Sequence, residues 1–168
     1  HPELLKIWYD KNNTISPYEV SSGSHTKVYW KCNKNHSYPA VIKNVVKGTR
    51  CPYCSNQKVL VGFNDLETWC KNNNKQYLLK EWHPTKNGTL TPQKVMYGYT
   101  KNIWWQCELG HEWSAPISRR TNGTRTANCP YCSNRKLLKG FNDLATKYPE
   151  IAKEWHPTKN GELKPENC

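Results

Sequence analysis

Cysteine and histidine recur in this chain at spacings that suit metal binding. A C-x3-H motif is followed by a C-x2-C motif after 14 residues in one place and after 17 in another. Two ligands from one tight turn and two from a second turn can complete a tetrahedron, which Zn²⁺ prefers with thiolate and imidazole ligands. The predicted ligands are Cys32, His36, Cys51 and Cys54 in one site, and Cys107, His111, Cys129 and Cys132 in the other.

Both sites are predicted to be structural, because four protein ligands leave no open coordination position. A single C-x2-C also fits a redox motif, and eight cysteines could form a secreted disulfide scaffold. The paired spacing occurs twice and lacks a βαβ context, which favours two Zn²⁺ ions. Zinc-finger peptides gain about 10–16 kcal/mol from the ion, enough to compensate for a thin core.

The two sites belong to an internal repeat. Residues 51–66 read CPYCSNQKVLVGFNDL, and residues 129–144 read CPYCSNRKLLKGFNDL. The motif EWHPTKNG also occurs twice, and a related sequence lies near the start of the chain. We predict a first zinc repeat over residues 1–77, a second over 78–152 and the start of a truncated third over 153–168. Such an array would be part of a longer protein; a complete protein with ragged ends is the alternative.

The repeat separates metal ligands from other candidates. His83 corresponds to Tyr9 in the first copy, and a required ligand would not be replaced by tyrosine. Cys70 corresponds to Tyr148. We therefore interpret His83 and Cys70 as structural residues.

Short strands and helices must position the ligands. Lys101–Cys107 is predicted to be a strand, and Glu112–Ser118 the strand that returns from it. A basic loop is predicted to lead to the second ligand pair. Beyond that pair, Asn142 is predicted to cap a short helix, as is Asn64 in the first copy, and Pro149 suits the start of another helix.

Composition and charge restrict the possible partners. Only 36% of residues are apolar, so metal ions are expected to support small cores. The net charge of +12 favours a polyanion, either nucleic acid or, less favoured, an anionic membrane surface. No stretch is long and apolar enough to span a membrane, and no signal peptide is evident. Thiolate ligands persist in reducing surroundings, so a cytoplasmic or nucleoid-associated location is expected.

The motifs W-x-C-x3-H, CPYCSN-x-K, G-x-N-x-L and EWHP-x-x-NG resemble a zinc-ribbon or treble-clef repeat family. The resemblance implies a small, metal-stabilised α+β fold of two tandem repeats with short β-hairpins and short helices. In a treble clef, a knuckle and hairpin supply one ligand pair and the start of a helix supplies the other. Family members occur in tandem, and some are attached to Vsr-like endonucleases, so a nuclease domain elsewhere in a longer parent chain is expected.

Basic residues near the second ligand pair are the candidates for nucleic-acid binding. Most basic residues are lysines, which contact phosphate as point charges, so backbone binding with weak sequence specificity is expected. DNA is the expected partner in preference to RNA, and a merely solvated basic surface is the alternative. The predicted contact residues are Arg50, Arg119, Arg120, Arg125, Arg135, Lys47, Lys58 and Lys136.

Functions other than nucleic-acid binding have less support in the sequence. A protein-interaction or architectural repeat is the alternative function. An enzyme is not expected, because the carboxylates are few and scattered and no nucleophile with a base is evident. Most tryptophans are predicted to pack in the cores, and Trp104 is the best candidate for stacking on a base.

Overall fold

The computed structural model describes residues 1–122 and 128–168, which form two compact units, His1–Asn64 and Asp65–Cys168. The sequence repeat predicts a boundary after residue 77. The compact units divide earlier because the helix Leu66–Asn72 buries Leu66 and Cys70 completely in the core of the second unit. Among the described residues, no helix has the length and apolar character needed to cross a membrane.

Each unit is built on a two-stranded antiparallel hairpin followed directly by a short helix. In the first unit these are β1 (Lys27–Lys31), β2 (Ser37–Val41) and α1 (Ile42–Val46); in the second they are β3 (Asn102–Gln106), β4 (Glu112–Pro116) and α4 (Ile117–Thr121). The predicted returning strand thus ends at Pro116, and Ser118 is helical. The chain turns there because Ile42 and Ile117 are both buried in the cores.

The remaining helices are short. They are α2 (Leu66–Asn72), α3 (Tyr77–Lys80), α5 (Leu144–Lys147) and α6 (Pro149–Lys153), and 3-10 turns lie at Pro2–Ile7, Asp10–Asn12, Pro17–Glu19, Pro92–Lys94 and Pro165–Asn167. The carboxylate of Asp65 caps α2 by accepting from the Thr68 N–H at 2.9 Å, and that of Asp143 caps α5. The prediction that Asn64 and Asn142 cap these helices is therefore wrong by one residue, because both asparagines hold the preceding loop instead.

Tryptophan dominates both small cores. Trp30 in β1 and Trp105 in β3 are 1% and 0% exposed, and each meets a second tryptophan edge-to-face. The partners are Trp8, at 5.4 Å between ring centroids, and Trp82, at 5.6 Å. Strand alternation leaves Trp104 39% exposed, so Trp104 is the candidate for stacking that the sequence singled out.

Candidate metal centres

The hairpin turn supplies the first ligand pair of each centre. Between β1 and β2, the Cys32 N–H donates to the His36 carbonyl at 3.1 Å, which closes a tight turn with both side chains on it. The residue before the histidine has positive φ, 65° at Asn35 and 79° at Gly110. Glycine adopts this conformation without strain and asparagine tolerates it, so the Gly-to-Asn difference between the copies leaves the turn intact.

The second ligand pair comes from a compact turn. The Ser55 N–H donates to the Cys51 carbonyl at 3.0 Å, and the Gln57 N–H donates to the Pro52 carbonyl at 2.8 Å. No helix begins at Cys51 or Cys129; the next helices are α2 and α5. The expectation that the start of a helix carries this pair is therefore not met, because positive φ at Asn56 turns the chain away after one helical turn.

A buried asparagine fixes the loop that follows the second ligand pair. The Asn64 amide nitrogen donates to the carbonyls of Tyr53 at 3.1 Å and Lys58 at 2.9 Å, and its oxygen accepts from the Leu60 N–H at 2.7 Å. Asn142 makes the same set of bonds in the second unit. Each asparagine therefore ties the cysteine turn to the chain beyond it.

The four ligand atoms of each predicted site come together. All of them lie within 4.8 Å of one another in both clusters. In the first, the Cys32 and Cys54 sulfurs are 3.8 Å apart, and the His36 Nδ1 lies 3.3 Å from the Cys54 sulfur and 3.8 Å from the Cys51 sulfur. The second cluster repeats these separations at 3.8, 3.2 and 3.7 Å.

These distances fit a tetrahedral zinc ion. Zinc–sulfur bonds of about 2.3 Å at tetrahedral angles imply sulfur–sulfur separations of about 3.8 Å. A disulfide would need sulfurs about 2.0 Å apart, and all eight cysteines are unpaired. The cysteines of this fold are therefore arranged as metal ligands and not as disulfides. With three thiolates and one imidazole, each cluster can hold one Zn²⁺ with no position left open for a substrate.

Burial and crowding of the thiols explain why a cation would stabilise each cluster. Burial, followed by the neighbouring thiols of Cys32 and Cys51, raises the pKa of Cys54 to about 11. Burial and the corresponding neighbours raise the pKa of Cys132 to about 12. Three thiolates cannot share so small a volume without a compensating positive charge, so a divalent cation matches this donor set.

Aromatic rings hold each histidine in its ligand position. The His36 ring meets Phe63 edge-on with centroids 4.2 Å apart, and Tyr53 lies 5.9 Å away. His111 is held in the same way by Phe141, at 4.2 Å, and Tyr131, at 5.7 Å. The aromatic contacts limit ring rotation and keep Nδ1 directed to the cysteines.

Other cysteines and histidines serve the packing. Burial raises the pKa of Cys70 to about 11, so this thiol stays protonated within the second core. His83 is 4% exposed; its Nδ1 accepts from the backbone N–H groups of Thr85 and Lys86, and its Nε2 therefore donates to Glu112 at 2.8 Å. The structure thus agrees with their interpretation as structural residues.

A family model described as a probable treble clef zinc finger domain matches residues 4–57 and 78–135. These two stretches contain all eight clustered ligands and both complete hairpins, and they cover most of the chain. The chain belongs to this family. No curated protein matches the chain. The family, the repetition and the two clusters together establish a tandem zinc-finger fold of short hairpins and short helices.

The predicted nucleic-acid contacts differ in their surroundings. Six of them are exposed: Arg50, Arg119, Arg135, Lys47, Lys58 and Lys136. Arg125 lies outside the described residues. Arg120 is 3% exposed, pairs with Glu81 and stacks on Trp105 at 4.3 Å from the ring centroid. The prediction that Arg120 contacts phosphate is therefore wrong.

The repeat contains a signal that reveals the buried ion pair. Arg120 corresponds to Val45 in the first unit, and Glu81 corresponds to Ile7. Val45 is buried and Ile7 packs against the same core. A basic and an acidic residue that are replaced together by two apolar residues indicate a buried pair rather than two surface charges.

Proposed function

We propose that this zinc-stabilised module binds nucleic acid through the phosphate backbone, with DNA as the main partner and with weak sequence specificity. The observation that carries the proposal is a basic cleft in the second unit. Arg119, Arg135 and Lys136 line a cleft of about 200 Å³ together with Asn128 and Ser114. Three cationic side chains around one concave surface suit an anionic oxygen ligand.

The hairpin places an aromatic ring beside this cleft. Trp104 is paired across the strands with Ser114, so the two side chains share the exposed face of the hairpin. The Lys86 ammonium lies 4.8 Å from the centroid of the Trp104 ring. A cation next to an exposed aromatic face is the combination that single-stranded nucleic acid contacts through phosphate and base.

The first unit carries part of the same pattern. Lys58 corresponds to Lys136, Arg50 to Asn128, and Tyr29, which is 40% exposed, to Trp104. Two such faces in one chain would raise the effective concentration of the second contact once the first has formed. Each centre carries a charge of −1 when three thiolates bind a 2+ ion, so two ions leave about +10 of the +12 charge.

The carboxylates support a binding role rather than catalysis. Asp65 and Asp143 are buried helix caps, Glu81 pairs with Arg120, and Glu112 bonds to His83 and Lys86. In the described part of the chain, the groups able to hold a metal ion are the two Cys/His clusters. We therefore propose that the module is not itself an enzyme and that it can target a nuclease domain of a longer protein.

A salt titration of binding tests the proposal. The zinc-loaded chain is titrated with fluorescent single-stranded and duplex DNA, and with RNA, at two salt concentrations. We expect affinity to fall steeply with salt, because each phosphate contact releases counterion. Replacing Arg119, Arg135 and Lys136 by alanine should weaken binding. The slope of log affinity against log salt concentration should become less steep by about two to three.

Exposed lysines away from the cleft provide the matched control. Lys153 and Lys159 are exposed in the C-terminal part of the chain, and their replacement together with Lys164 removes the same charge. Equal losses in the two triple variants would show that net charge alone attracts the polyanion. No binding of any nucleic acid at low salt would overturn the proposal.

A further inference from the structure

Residues 143–168, here termed the C-terminal segment, repeat residues 65–95, which pack against the hairpin of the second unit. Asp143 caps α5 as Asp65 caps α2. The Leu144 N–H donates to the Cys168 carbonyl at 2.9 Å, and the Leu66 N–H donates to the Val95 carbonyl at the same distance. The C-terminal segment therefore has the local fold of residues 65–95.

The side chains that residues 65–95 bury are exposed in the C-terminal segment. Leu78 is 0% exposed, whereas its counterpart Ile151 is 54% exposed. Leu163, the counterpart of the half-buried Leu90, is 58% exposed. Neither described hairpin covers this face, so the segment presents a preformed apolar surface.

An asparagine shows what kind of element fits that surface. In the second unit, the Asn87 side chain donates to the Trp104 carbonyl at 3.0 Å and accepts from the Trp104 N–H at 2.8 Å. In the first unit, Asn13 holds the backbone of Tyr29 in the same way, at 2.9 and 2.7 Å. Asn160 has this place in the C-terminal segment, where its amide reaches the His156 carbonyl at 3.4 Å. The element that fits this surface is therefore the edge of a first hairpin strand.

Two polar residues specify which hairpin it is. Glu154 corresponds to Glu81, which pairs with the buried Arg120 in the second unit. His156 corresponds to His83 and makes the same turn, with its Nδ1 accepting from the N–H groups of Thr158 and Lys159 at 3.2 and 3.1 Å. Its Nε2 therefore carries a proton to donate, as His83 donates to Glu112.

We propose that the C-terminal segment is a docking surface for a zinc hairpin of the second-unit type, which carries arginine in the place of Arg120 and glutamate in the place of Glu112. The first-unit hairpin offers Val45 and Ser37 at these places. It would bury Glu154 without a counter-ion and offer His156 a short, neutral hydroxyl in place of a carboxylate. Charge complementarity thus selects one hairpin type over the other.

A fusion tests the proposal in the intact chain. Residues 96–142 are appended after Cys168, because Cys168 has the place of Val95 and the appended hairpin then follows in register. We expect native mass spectrometry to detect three zinc ions. Amide exchange at Ile151 and Leu163 should slow by at least about 100-fold relative to the unfused chain, as expected for groups that become part of a core.

The first-unit hairpin is the matched control. Residues 21–64 appended at the same point should bind zinc but give at least about tenfold less protection, and the changes Val45→Arg and Ser37→Glu in the appended copy should restore it. Equal protection by the two original hairpins would overturn the charge rule. A third bound ion without protection of residues 143–168 would overturn the docking surface.

A second copy of this chain is the other occupant that the experiment distinguishes. If the first-unit hairpin of a neighbouring molecule occupied the surface, the unfused chain would associate with rising concentration in sedimentation velocity, and Ile151→Asp would abolish the association. That result would contradict the selectivity for Arg and Glu. A monomeric unfused chain that gains protection only in the second-unit fusion supports the proposal.

Discussion

The buried pair of Arg120 and Glu81 should be replaceable only as a pair. The Arg120 side chain is 1% exposed and the Glu81 side chain 22% exposed, so loss of the partner charge should destabilise the fold more when the arginine is left alone than when the glutamate is. The first unit shows the apolar alternative, with Val45 and Ile7 at the same places. We therefore consider Glu81→Ile, Arg120→Val and the double variant.

The expected magnitudes follow from exposure. Glu81→Ile leaves a guanidinium buried between Trp105 and Trp113 without a counter-ion, at a cost of about 3–5 kcal/mol. Arg120→Val leaves a carboxylate that water still reaches, and should cost about 1–3 kcal/mol. The double variant should lie within about 1 kcal/mol of the original chain, because well-packed apolar residues can replace a buried ion pair without loss.

Urea unfolding at a fixed free zinc concentration measures these values, since a bound ion stabilises the folded state by mass action. Amide exchange in β3 reports on the second unit, and exchange in β1 is the internal control that all three variants should leave unchanged. If the double variant loses the sum of the two single losses, the pair is not a self-contained element of the core and the reasoning fails. A loss of nucleic-acid binding in Arg120→Val with unchanged stability would also refute it.

Three further outcomes are expected. Native mass spectrometry should detect two zinc ions in the original chain and one in Cys51→Ser or Cys129→Ser. A chelator should remove both ions, and the amides of both hairpins should then lose their protection from exchange. Zinc affinity should fall as pH falls, because the pKa values of Cys54 and Cys132 are raised to about 11 and 12 and zinc binding must displace the thiol protons. Calorimetry in buffers of different ionisation enthalpy should detect the release of about two to three protons per ion. Asn64→Ala should cost about 2–4 kcal/mol in thermal unfolding, because it leaves buried backbone groups unpaired, whereas the exposed Asn33→Ala should be nearly neutral.

The metal centres were accessible from sequence because their chemistry is local. Two residues on one tight turn and two on another suffice to define a ligand set, and the second copy removes the ambiguity of a single motif. The strands were accessible for the same reason, since Ile103 and Trp105 alternate with exposed neighbours. What the sequence predicted well depends on residues that are near one another in the chain.

The errors concern groups whose partners lie far along the chain. Arg120 resembles a surface arginine until Glu81, 39 residues away, is brought beside it. Asn64 resembles a helix cap because asparagine favours that place, but Tyr53 and Lys58 bind its amide and the neighbouring Asp65 caps the helix instead. Position-specific preferences cannot separate two adjacent polar residues when tertiary contacts decide between them.

The two units share their zinc-binding residues and differ where each hairpin contacts the segment that packs on it. The ligands, the phenylalanine against each histidine and the loop asparagine are identical in both copies, because four ligand atoms within 4.8 Å of one another tolerate no change of donor or distance. Where each hairpin and its helix contact the segment that packs on them, Tyr9 and Ser37 replace His83 and Glu112. At the same contacts, Ile7 and Val45 replace Glu81 and Arg120. Paired exchange matches each hairpin to the segment that packs on it, so the zinc site can specify the fold while the packed segment specifies which hairpin it binds.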